Sequence, residues 1–95
     1  MPKEYFKQTQ IEQMVVLSTG HVPKQEASRI EELIMDGSIT GMQRSEGWLI
    51  HTHAPIDSCP HLTRLLGFAM AYDCEWILFD RDAGTTHDLL PTFDW

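Results

Sequence analysis

Cations are scarce in this chain. Seven Lys and Arg stand against fourteen Asp and Glu among 95 residues, a formal net charge of −7, and such a surface repels a phosphate backbone instead of condensing on it. Direct nucleic-acid binding is therefore not expected. No apolar run approaches the ~18 to 20 residues that cross a bilayer. The opening MPKEYFKQTQ is polar where a signal peptide would be apolar, so a cytoplasmic protein without membrane association is expected. Cysteine is nearly absent as well. Cys59 and Cys74 flank a stretch read below as a helix, which would hold them ~20 Å apart, beyond the ~7 Å Cα limit of a disulfide. Both should be free thiols. Internal repeats and low-complexity tracts are missing too, and the length leaves room for one domain.

What is present is a globular mixture, 42% hydrophobic and 22% charged, that should fold. Residues 1–12 show no clear period and read as an arm in front of a single domain over 13–95. QMVVLS is a β-branched run predicting a strand over 13–18, with Gly20 permitting a sharp exit. PKQEASRIEELIMDG places Ala27, Ile30, Leu33 and Ile34 at three- and four-residue steps, which predicts a helix over 23–36 with Pro23 in its first turn and Gly37 ending it at positive φ. A hairpin is expected next, with strands near Ile39 to Arg44 and from Trp48 to His53 around a turn at Ser45-Glu46-Gly47. Alternation puts Trp48, Ile50 and Thr52 on one face. SCPHLTRLLGFAMAYD reads as a second helix. Ser58 is its N-cap, its buried stripe is Leu62, Leu65, Leu66, Ala69 and Met70, and Gly67 would allow close approach to the sheet. CEWILFD is a strand. The tail carries Leu89, Leu90, Phe93 and Trp95, too much apolar surface to leave free, and should pack back on the domain.

The order βαββαβ predicts an α+β fold, a two-layer α/β sandwich of ferredoxin-like order. Without a strand over 38–44 the same string becomes βαβαβ, three layers around a parallel sheet. In either version the first strand and Trp48 to His53 are expected to run parallel, bringing STGH and HTH to one edge.

Chemistry concentrates in HTHAPIDSCPH, residues 51–61, which holds three of five histidines. His51 and His53, two apart on a strand, share a face about 6.6 Å apart, and both imidazoles could reach one zinc ion. Asp57, Cys59, His61 or His21 could add a ligand. The competing reading makes these residues surface groups and loop caps. Cys59 at a helix amino end with a histidine two residues on is also the minimum for a Cys/His nucleophile, although no orienting group or oxyanion hole accompanies it. Asp80 and Asp82 in FDRD could hold Mg²⁺, or could accept turn N–H groups. STGH lacks the glycine richness of a phosphate loop.

The stretches VVLSTGH, GWLIHT and CEWILFDRDAGTTHDLLPTFDW resemble a family of small uncharacterised bacterial proteins from chromosomes, plasmids and phages, a domain of unknown function. The resemblance spans Met14 to Trp95, and STGH, FDRD and LPTFDW are its most specific parts. It implies a mobile-element accessory protein and brings no enzymatic activity with it. The cluster from His51 to His61 is not part of the resembling pattern.

The function expected is a non-catalytic protein-interaction module whose acidic carboxy-terminal surface, Asp80, Asp82, Asp88 and Asp94, meets a basic host protein. The alternative is a metal-binding, hydrolytic site on His51 and His53. A homodimer formed through an open sheet face is a third expectation.

Overall fold

A computed structural model describes residues 11–53, 58–84 and 90–93. Among the described residues four strands and two α-helices follow in the order β1 Met14–Leu17, α1 Lys24–Met35, β2 Gly41–Arg44, β3 Gly47–His51, α2 Pro60–Ala71 and β4 Trp76–Asp80, with a single 3-10 turn, Thr19–His21, between β1 and α1. The chain is α+β, as its periodicities predict, and residues 41–44 are a strand.

The four strands form one mixed sheet in the order β1-β4-β3-β2. β1 runs parallel to β4, while β4 with β3 and β3 with β2 are antiparallel. This corrects two expectations. The sheet is not all parallel, which removes the βαβαβ alternative. β4 lies between β1 and β3, so β1 and β3 run in opposite directions, and STGH and HTH stand at opposite ends of the sheet. STGH instead shares its end with FDRD.

The physical reason is where α2 begins. Thr52 is fastened at the start of β4, its N–H donating to the Glu75 carbonyl at 2.9 Å, whereas the first turn of α2 is fastened to the first turn of α1 through Glu26. Thr52 and the start of α2 therefore stand at opposite ends of the sheet. α2 returns the chain to the end it left, and β4 must run antiparallel to β3.

One buried cluster unites Leu17, Trp48, Ile50, Ile77 and Phe79 of the sheet with Ala27, Ile30 and Leu33 of α1 and Leu62, Leu65, Leu66 and Ala69 of α2. Trp48 and Phe79 meet edge to face at 6.0 Å. The turn after α1 is as predicted, with Gly37 at φ +80°. Two expectations about α2 need correction. Met70 is exposed, since one residue past Ala69 the helix has turned ~100° away from the core. Gly67 is exposed too, with open space where a side chain would stand. The close approach happens at Gly47, where a Cβ would lie 2.0 Å from the Phe79 carbonyl oxygen. The described part of the tail packs back: Leu90 is buried, and the Phe93 N–H donates to the Gly20 carbonyl at 2.8 Å.

Candidate functional site

At the end of the sheet where β1 and β4 finish, Glu26 is the organising side chain. It is buried, and its carboxylate accepts the backbone N–H of His61 at 3.0 Å and of Leu62 at 2.8 Å. These are the orphan donors of a helix first turn, so α2 is capped from another helix. Ser58 is not the N-cap. That position is Cys59, which makes no side-chain cap bond. The His61 Nδ1–H donates to the same carboxylate at 2.5 Å, and the Phe93 ring stands edge-on to the imidazole at 5.0 Å. A carboxylate, an imidazole and an aromatic ring from three parts of the chain thus tie α1, α2 and the tail together. One sign of this partnership was local, Glu26 at a helix start; proximity to a second helix start is a tertiary fact.

Cys59 is fully buried beside them. Burial pushes its thiol up; the hydrogen bond with Ser58 offsets part of this, and the nearby Glu26 charge adds a smaller upward push. Glu26 already occupies the N–H groups that would have favoured a thiolate. His21 is buried as well; its Nδ1–H donates to the Pro91 carbonyl at 2.8 Å, and its Nε2 has no partner among the described residues.

His51 and His53 lie at the other end. Their rings are 4.3 Å apart and tilted by 44°, and the His53 N–H donates to His51 Nδ1 at 3.2 Å. The Trp76 ring is edge-on to His51 at 4.6 Å, and the Trp76 indole N–H donates to the Glu12 carboxylate. The fold therefore brings His51 and His53 together but leaves His21 and Cys59 at the opposite end. Asp57 lies outside the described residues. Among the described residues no group of three His, Cys, Asp or Glu is placed to hold a metal ion.

Asp80 accepts the Asp82 N–H at 2.8 Å, a local turn bond of the kind aspartates make after strands. Asp88 and Asp94 lie outside the described residues. No described helix is long and apolar enough to cross a membrane.

The feature that composition did not reveal is the sheet face turned away from the core. Registers place Val16, Leu78, Leu49 and Met42 in one cross-strand row, Met14, Trp76 and His51 in the row before it, and Asp80, Gly47 and Arg44 in the row after. Met14 and Val16 are 50% exposed and Met42 56%, while Leu49, Leu78 and Trp76 are half-buried. Scattered exposed apolar residues are ordinary, whereas these form a contiguous set on one sheet face. Alternation in MVVL and GWLIH was the available signal. Both faces of these strands are apolar, so the pattern could not say which would be covered.

A family model described as a family of unknown function (DUF5983), C-terminal domain, matches residues 14–95. No curated protein and no solved structure matches this chain.

Proposed function

The chain belongs to the DUF5983 family, and we propose that it is a non-catalytic protein-binding module whose contact surface is the open apolar face of a two-layer α/β sandwich. The row Val16–Leu78–Leu49–Met42, uncovered by the described residues, carries this reading. The polar groups support it indirectly. Glu26 and His61 are engaged in capping, Cys59 is buried with its thiol raised, and Asp80 closes a turn. In the same proposal the protein is an accessory product of bacterial chromosomes, plasmids and phages acting in the cytoplasm. The motifs STGH, FDRD and LPTFDW and two free thiols support this part. A basic host protein reached through the acidic end, Asp80, Asp82, Asp88 and Asp94, is a further contact within this proposal.

The test is affinity capture with untagged competitor, comparing wild type with Val16→Lys/Met42→Lys. Both positions are about half exposed, so the variant should fold, and it should lose the partner that wild type retains. Retention of the same partner by the variant would refute the assignment of the face.

The second reading, a hydrolytic zinc site, is favoured by the 4.3 Å separation of the His51 and His53 rings. Elemental analysis of untagged protein tests it. One equivalent of zinc that disappears in His51→Ala would establish the site, and less than a tenth of an equivalent would dismiss it.

A further inference from the structure

We propose that the open face is covered by a second copy of this chain, in a two-fold pair whose axis runs parallel to the strands and midway between β4 and β3. The inference rests on the reading of that face as a binding surface and goes further by naming the occupant. The argument is self-complementarity. In the sheet order β1-β4-β3-β2, such an axis lays β4 over β3 and β1 over β2 of the other copy while preserving position along the strands.

The rows then match residue by residue. Leu78 stands opposite the partner's Leu49, Val16 opposite the partner's Met42, and Trp76 opposite the partner's His51. The charged row matches as well. Asp80 stands opposite the partner's Gly47, which offers no side chain to collide with, and one strand to the side of that glycine is the partner's Arg44. With ~4.8 Å between strands and ~10 Å between packed sheets, a carboxylate and a guanidinium so placed can meet. Among the described residues Arg44 pairs within its own chain with Glu46, at 3.7 Å. One acid and one base per copy leave this row electrically balanced although the whole chain carries −7. Pairing through it therefore avoids the like-charge repulsion that most other patches of so acidic a chain would meet.

Area sets the strength. Four strands ~4.8 Å apart and three rows ~6.8 Å apart offer a face of roughly 19 by 20 Å, about 400 Å² in projection, which the relief of its side chains raises to on the order of 500 Å² of accessible surface per copy. A pair burying about 1,000 Å² is at the lower bound for a specific interface, which calls for a dissociation constant in the micromolar range.

Sedimentation velocity on the full chain between 1 and 500 µM tests the pairing, with circular dichroism confirming that each variant is folded. Wild type should pass from monomer to dimer across this range. Because Val16 faces the partner's Met42, Val16→Lys/Met42→Lys sets lysine against lysine twice and should weaken the dimer at least tenfold. Val16→Lys/Met42→Glu sets lysine against glutamate twice and should recover at least threefold of that loss. A wild type that stays monomeric at 500 µM, a dimer indifferent to the two lysines, or a lysine–glutamate variant no better than the two-lysine one would each overturn the pairing. The binding-surface reading fails separately: it falls when the two-lysine variant keeps a captured partner, whatever the oligomeric state.

Discussion

Glu26 shows how much one side chain can organise. It sits in the first turn of α1 where acid is favoured by that helix's own dipole, and it also serves the first turn of α2. Glu26→Ala removes the acceptor for two helix N–H groups, and urea denaturation should show a loss of about 2 to 3 kcal/mol. Glu26→Gln keeps one carbonyl acceptor and should lose less than half as much. The cysteines separate in the same way. Burial raises the Cys59 thiol, so its reactive thiolate gathers only above the usual pH range, and the side chain is also sealed from reagent. Cys74 is half-buried. Iodoacetamide at pH 8 should label Cys74 alone in the folded protein and both thiols in 6 M guanidinium, as intact-mass measurement would reveal. Equal labelling without denaturant would contradict the burial of Cys59.

At the level of elements, the two glycines of opposite character give opposite forecasts. Gly67 lies exposed within α2 with nothing within 4 Å of an added Cβ. Gly67→Ala should stabilise the protein by roughly 0.5 to 1 kcal/mol, as alanine does in a helix interior. Gly47 opens β3, and an added Cβ there would strike the Phe79 backbone at 2.0 Å. Gly47→Ala must push β3 away from β4 and should cost about 2 to 4 kcal/mol, seen as a lower thermal midpoint. Local signals located all six elements to within a few residues, because apolar period and turn residues act over short range. They misjudged Met70 and Gly67 because a stripe's edge depends on where the neighbouring sheet lies. They also gave α2 to Ser58 as its cap, since a serine before a helix is the common local solution and a carboxylate arriving from another helix leaves no local mark.

For the whole molecule, the salt dependence of self-association distinguishes apolar pairing from an acidic-surface contact. Two copies of a chain at −7 repel at long range, so raising NaCl from 50 to 500 mM should leave the dimer unchanged or tighten it up to about threefold. A contact between the acidic end and a basic partner would weaken over the same range. Sedimentation at the two salt concentrations decides between them.

The alternation of apolar residues and the helix punctuation at Pro23 and Gly37 were enough by themselves to set the α+β composition, because each acts through neighbouring residues. The tertiary structure alone decided that β4 enters between β1 and β3. That choice depends on Thr52 and Glu26 being fastened at opposite ends of the sheet, contacts between residues distant in sequence. From it follow the separation of His21 from His51 and His53 and the row Val16–Leu78–Leu49–Met42 that the described residues leave uncovered. The same valines and leucines would read alike in a strand covered on both sides; packing settles which face meets water.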